Sequence, residues 1–484
     1  MSEASQALRR AAIFPLLAIV FAVYLATLQS GHHWGDDFAY YLHHARNLID
    51  GHSYADTGLI ENPQVRNLGP RYFPPGFPAL LAPTLALFGF NYTALKIEVA
   101  VLFVLGLWLM YGLFRDRLND WQALAAIALI GLNPVLWGMR NDIVSDLPFL
   151  TATYGSLYLM HWLYTRHAGN PPAIWGIAAG LSIYSAYAIR QPGLMLIPAM
   201  LCFELLRARR LRPFSLVATA VAGTAMLAQR LILGSDGRST LFDFSPRWLV
   251  SSITQNLRAS DEFWNNAWSP AAAKLVFLAA LALMVCGLWA ALRSGIRIYD
   301  LFALFYVLLI VPYPYVTVRY LLPIVPVQMV YLALGFELAV SRVPRKAAAV
   351  AAACALLSAL ASYGSQYAAA ATGPIREGVS DPDFVALCEY ARASTPPGSR
   401  FVIRKPRVFT LLADRPAATY GPSEEPEDLR AFIQAIHASY LVWGDPPAID
   451  FDTDLITLQR FINQDGDHLT LIYWNSHYRL YRIS

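Results

Sequence analysis

About eleven times between residues 11 and 366 the sequence enters a run of predominantly apolar residues close to the length that crosses a bilayer. The runs lie near 11–28, 93–114, 121–139, 147–165, 173–189, 191–206, 214–233, 271–292, 299–316, 318–340 and 347–366. Backbone N–H and C=O groups inside hydrocarbon must bond to one another, so runs of this length are read as helices. The composition agrees: 56% of the 484 residues are hydrophobic and 14% charged, far from the balance of a soluble globular chain. A further apolar stretch, 76–90, opens with PPGFP and is separated from the next run only by GFNYT. It is expected to lie against the outer face rather than cross.

A formal charge of +4 without a Lys/Arg stripe excludes nucleic acid as a partner. Cys202, Cys286 and Cys354 sit in apolar runs and Cys388 stands alone in the polar tail, so no disulfide framework or CxxC metal site is available. The first residues, MSEASQALRR, followed by AAIFPLLAIVFAVYLATL, read as an uncleaved signal anchor. With that end in the cytoplasm, the inner ends of the spans carry Arg9, Arg10, Arg115, Arg117, Arg166, the 207–212 arginines, Arg293, Arg297, Arg342, Arg345 and Lys346. The outer turns hold chiefly Arg140, Arg190 and Arg319, which is the positive-inside asymmetry. Loops 29–75 and 234–270 then face outward, together with the tail.

The tail changes character. After about residue 369 the pattern alternates helix, Pro/Gly turn and short strand, with PEDLRAFIQAI as a helix, SYLVWG as a buried strand and HLTLIYW with YRLYRI as a strand pair. The expected organisation is an all-α polytopic membrane domain, 1–368, followed by a small extracytoplasmic α/β domain, 369–484.

Ionisable groups at the outer ends of the spans carry functional weight, because polar groups cost most where water is scarce. Asp36 and Asp37 follow the first span, Asp142 and Asp146 lie in MRNDIVSDLPF, Arg190 closes the fifth span and Arg319 opens the tenth. Carboxylates from two loops with arginines opposite suit an anionic ligand such as a phosphate. The acids are placed to take a proton from a hydroxyl or to hold a divalent ion, with Asp37 and Asp146 as its ligands. Plainer roles stand beside these: helix capping for Asp36 and Asp146, and snorkelling for the arginines. His32, His33, His43 and His44 form no HExxH pattern and read as a solvated loop. Arg404, Lys405 and Arg407 in RKPRVF read as a solvated face, and Asn91 in NYT as a chance sequon.

The Asp pair followed by YY, then ARNLIDGHSY, RYFPPGFPALLAP and LFG, resembles the first outer loop of the GT-C superfamily of integral-membrane glycosyltransferases. The likeness is greatest to glycosyltransferase family 39 and the related aminoarabinose and dolichyl-phosphate-mannose transferases. NDIVSDLPF resembles that family's second acidic loop and RYLLPIVP its late Arg-Tyr-x-x-Pro element. The resemblance implies a GT-C fold, a polyprenyl-phosphate-linked sugar as donor and transfer at the extracytoplasmic face. It implies Asp36 or Asp37 as the first-loop acid and Asp146, or Asp142, as the second. Tyr40, Tyr41, Arg71, Arg190, Arg319 and Tyr320 join Asp142 as expected substrate contacts, with magnesium or manganese as a cation. The chain lacks the large sugar-binding-like domain common among protein-mannosylating relatives, which favours a lipid or glycan acceptor over protein. The expected location is a bacterial inner membrane. The alternative is a transporter or flippase for a polar or lipid-linked solute, but transporters place charges near the midplane and in repeated halves, whereas these acids cluster in outer loops and no repeat is present.

Overall fold

The computed structural model describes residues 11–65, 72–234, 242–264, 269–370, 372–421, 425–445 and 455–484. The membrane part is helical. Five helices are long and apolar enough to cross a bilayer: Tyr92–Phe114, Pro213–Leu233, Pro270–Arg293, Val318–Ala339 and Arg345–Ala369. A sixth crossing is made if Asp120–Gly131 and Pro134–Asn141, bent by 41°, count as one. The chain is thus an integral membrane protein, with five or six helices of full spanning length among the described residues. Several other expected runs are shorter helices, among them Ile13–Ala26, Trp175–Ile189 and Ile298–Ile310. Their shortness has a local cause at Arg190, where the helix stops and a 3-10 turn, Gln191–Met195, containing Pro192 intervenes before Leu196–Ala208.

Small residues set the helix packing, as lipid-embedded bundles require. A Cβ added to Gly287 would lie 1.7 Å from the Tyr331 carbonyl oxygen, and one on Gly335 would lie 1.8 Å from that of Leu283. The helices Pro270–Arg293 and Val325–Ala339 therefore touch backbone to backbone.

Beyond the last long helix the chain builds a six-stranded sheet, ordered β1-β3-β2-β4-β6-β5. The strands are β1 (Leu59–Ile60), β2 (Phe401–Val402), β3 (Ala417–Ala418), β4 (Tyr440–Gly444), β5 (Leu469–Trp474) and β6 (Tyr478–Ile483). The four from β1 to β4 are mutually parallel, β6 pairs antiparallel to β4, and β5 pairs antiparallel to β6 at the edge. β1 comes from the first outer loop. It was not expected there, and it ties loop 29–75 to the tail.

The side-chain period of two divides the sheet between two cores. Phe401, Ala417, Tyr440, Val442 and Leu480 belong to the large core that continues into the membrane helices. Their neighbours Val402, Ala418 and Leu441 face a second core with Leu429, Phe432 and Ile433 of the helix Pro426–Ala435. Trp34, just before the Asp pair, meets Phe384 of the tail helix Pro382–Ser394 edge to face at 4.9 Å. Buried apolar contact thus runs without a break from the first outer loop into the tail.

Candidate functional site

The PPGFP motif places Arg190. A Cβ on Gly76 would fall 2.6 Å from the Ala188 carbonyl carbon, so the helix Gly76–Phe88 abuts the C-terminal end of Trp175–Ile189. That helix ends at Arg190, whose backbone turns extended (φ −149°). Asp146 begins the helix Asp146–Arg166 and is 3% exposed. Its Oδ1 accepts from Arg190 Nη1, and its Oδ2 accepts from Arg319 Nη2 at 2.6 Å and Nε at 3.2 Å. Neither capping nor snorkelling describes these residues, because both guanidinium groups turn inward onto one carboxylate.

Arg319 also reaches the other acidic loop. Its Nη1 lies 3.6 Å from Asp37 Oδ2, and on the opposite side Arg407 Nη1 lies 3.5 Å from Asp37 Oδ1. The Asp37 side chain is 37% exposed, against 1% for Asp146. Asp36 and Asp37 open the helix Asp36–Asp50 without making a side-chain cap, where the helix dipole favours negative charge. Asp36 differs from its neighbour: its Oδ1 is sealed from water with no hydrogen-bond partner. Burial raises its pKa above the ordinary carboxylate value against the pull of Lys405, Arg407 and Arg404, and the like charge of Asp37 raises it further.

Arg407 and Lys405 correct the expectation of a solvated basic face. Both are buried, at 4% and 7% exposure, around the start of the helix Pro406–Ala413. The Arg407 guanidinium stacks 4.4 Å from the Tyr40 ring centroid, and the Lys405 ammonium lies 6.0 Å from that of Trp34. The signal in the sequence was a pair of cations flanking the proline that starts a helix. Nothing local shows that this turn meets Asp37.

The remaining expected contacts divide. Tyr41 shares a 2.8 Å hydrogen bond with Ser145, next to Asp146, and Tyr320 lies 5.7 Å from the Arg190 guanidinium. Asp142 is only partly buried, and burial raises its pKa; it feels His33, Lys96 and Arg319 but makes no ion pair among the described residues. Arg71 lies outside the described residues.

The histidines are not a solvated set. His32 and His44 are buried, at 2% and 0% exposure, and each bridges two loops in the same manner. His32 Nδ1–H donates to the His33 carbonyl and Nε2 accepts from Ile143 N at 3.0 Å, pinning the first acidic loop to the second. His44 Nδ1–H donates to Tyr54 O, and Nε2 accepts from Phe73 N at 3.2 Å. Burial lowers both pKa values to about 3, so both rings are neutral at physiological pH. Asn91 caps the helix Tyr92–Phe114 through Ala94 N.

A divalent cation does not fit these acids as arranged. Both oxygens of Asp146 are occupied by arginine donors and both of Asp37 face guanidinium groups. Among the described residues no three His, Cys, Asp or Glu side chains gather as a metal site.

Comparison with known proteins identifies the fold. The dolichyl-phosphate-mannose-protein mannosyltransferase family matches residues 73–232. Archaeal oligosaccharyltransferase AglB from Archaeoglobus fulgidus, solved with an inhibitory peptide and a dolichol-phosphate, superposes with a TM-score of 0.61 at 13% identity, over 94% of this chain and 72% of that one. ArnT from Cupriavidus metallidurans bound to undecaprenyl phosphate gives 0.56 at 12% identity, covering 100% and 98%. Arabinofuranosyltransferase AftD from Mycobacteria gives 0.61 at 16% identity, with 98% of this chain on 40% of that one. A search of curated proteins finds no significant match. The chain has the fold of the GT-C superfamily of integral-membrane glycosyltransferases.

Proposed function

We propose that the chain is a glycosyltransferase that moves a sugar from a polyprenyl-phosphate-linked donor to a lipid or glycan acceptor outside the membrane, by direct displacement with inversion. One observation carries this reading: Asp37 is a water-accessible carboxylate held between Arg319 and Arg407, beside an Asp146 already neutralised by two arginines. The donor's lipid must lie in the bilayer while its sugar phosphate reaches water, so chemistry belongs at the interface where these residues meet. Arg319, Arg190 and Arg407 offer guanidinium donors to the leaving phosphate, whose charge grows as the glycosidic bond breaks. As phosphate draws Arg319 and Arg407 away, Asp37 is freed to take the proton of the acceptor hydroxyl attacking the anomeric carbon. Asp146 holds the arginines in place, and Asp36 shapes the field behind Asp37.

The same reading has the shorter helices completing about eleven crossings. The first residues lie in the cytoplasm of a bacterial inner-membrane protein, with the sheet on the outer side. The match to family 39 and the lipid phosphates bound by AglB and ArnT support the donor class. The test is transfer from polyprenyl-phosphate sugars by purified protein. Asp36→Asn with Asp37→Asn is expected to abolish turnover while the fold survives, and full activity in that double variant would overturn the assignment. Solute flux in proteoliposomes without a glycosylated product would favour a transporter. Mass spectrometry of envelope lipids and glycans with and without the protein identifies sugar and acceptor.

A further inference from the structure

At the far end of the helix Asp146–Arg166, eighteen residues and about 27 Å from Asp146, lies a second polar cavity. Its volume is about 480 Å³, within the range of small-molecule sites. Tyr164, Phe203, Glu204 and Ile298 form a buried floor, and Arg207, Arg212 and Arg297 come from three different segments of the wall. The candidate catalytic residues lie at the opposite membrane face, so this cavity is no extension of that site.

Not all the charges here are consumed internally. Glu204, 2% exposed, accepts from Tyr164 Oη at 3.0 Å, from Arg212 N at 2.9 Å and from Ser215 Oγ. Its carboxylate is satisfied by neutral donors and leaves the Arg212 side chain unengaged. Arg212 Nε and Nη1 are buried atoms without a hydrogen-bond partner. Orphaned guanidinium donors are costly, and an external acceptor would relieve them. Arg297 pairs with Asp116, while Arg207 lies 5.2 Å from the Phe203 ring. At the rim Ala168 holds a left-handed backbone (φ 49°), a conformation uncommon outside glycine and asparagine that tends to persist at binding sites.

We infer that this cavity binds a phosphate-bearing anion, through Arg212 and Arg207, at the membrane face opposite the transfer site. A phospholipid headgroup from the adjoining leaflet and a soluble phosphate share that chemistry, and basic pockets between membrane helices suit the former. Two arginines in fork geometry match phosphate oxygens.

The test uses the full chain purified from an equal mixture of phosphatidylglycerol and phosphatidylcholine, with retained lipid read by native mass spectrometry. Phosphatidylglycerol is expected to be enriched roughly tenfold, the effect of one charge-assisted bond. Arg207→Gln with Arg212→Gln is expected to lose the enrichment, and Arg209→Gln with Arg210→Gln, whose side chains do not line the cavity, is expected to keep it. Should the Arg212 variant fold poorly, Arg207→Ser at the exposed rim is expected to weaken enrichment alone. In a lipid-free arm, inorganic phosphate that raises the unfolding temperature of the wild type but not of Arg207→Ser assigns the site to a soluble anion. Equal enrichment in wild type and cavity variants, equal loss in the 209/210 control, or no selectivity together with no phosphate response would each overturn the inference.

Discussion

Among the described residues two Arg–Asp networks stand at opposite ends of the helices, and they differ in how far water reaches them. At one end Arg117 Nη1 donates to Asp300 Oδ1 at 2.9 Å, with side chains 4% and 6% exposed. Asp300 Oδ1 also accepts from Tyr331 Oη, its Oδ2 accepts from Arg297 N, and Arg117 Nη2 reaches the Ala291 carbonyl. At the other end Asp37 and Arg319 remain 37% and 35% exposed, and their contact at 3.6 Å is a charge contact rather than a hydrogen bond. The same residue types thus make a sealed clasp at one end and an open site at the other. What separates them is unspent hydrogen-bonding capacity within reach of water, and that is where a ligand gains most.

Breaking the clasp should have the largest effect on stability. Asp300→Asn leaves Arg117 charged and buried, which typically costs about 3–5 kcal/mol. The expected outcome is a marked fall in unfolding temperature in detergent, with transfer per folded molecule unchanged. Asp146→Asn sharpens the contrast, since its arginines are partly in water and the penalty is smaller, about 2 kcal/mol. Its transfer activity is nevertheless expected to fall at least tenfold, because Arg190 and Arg319 lose their common anchor. Arg407→Gln should reduce turnover roughly tenfold, the scale of one charge-assisted contact to phosphate, mainly as a raised donor KM. A variant with unchanged donor KM would remove Arg407 from the site.

The smallest expected effect is on pH. Burial holds His32 and His44 at about 3 in the folded protein, below the ordinary histidine value of 6.5. Unfolding would let both rings take up protons. Their contribution is therefore fully present above pH 6.5 and is lost progressively as pH falls from 6.5 toward 3. The unfolding temperature should decline between pH 7 and 5, and His32→Gln with His44→Gln should lower it at pH 7 while flattening that decline.

Part of this site was legible in the sequence. Alternation of apolar runs and basic inner ends placed the acids and Arg190 and Arg319 on one face, and the structure brings Asp37, Asp146, Arg190 and Arg319 together. The rest depends on long-range contacts without a local signature. Arg407 meets Asp37 through a tertiary contact between segments at opposite ends of the sequence. β1 is two residues long, too short for alternation to show, yet it fastens the first outer loop to β3. His32 and His44 misled because their polarity suggested water, whereas each spends both ring nitrogens on backbone groups. Hydropathy does not register the Pro-containing turn after Arg190 or the 41° bend between Gly131 and Pro134, so some of the eleven apolar runs form helices shorter than their apolar length suggests.

The central claim is that the open carboxylate, not its sealed neighbour, performs the chemistry. Asp37→Asn and Asp36→Asn, each assayed with a polyprenyl-phosphate sugar and an envelope extract as acceptor source, test it most directly. The account predicts that Asp37→Asn loses transfer by roughly 100-fold or more while keeping its unfolding temperature and its binding of donor. Asp36→Asn is predicted to retain measurable turnover. Wild-type turnover in Asp37→Asn, or loss confined to Asp36→Asn, would contradict it.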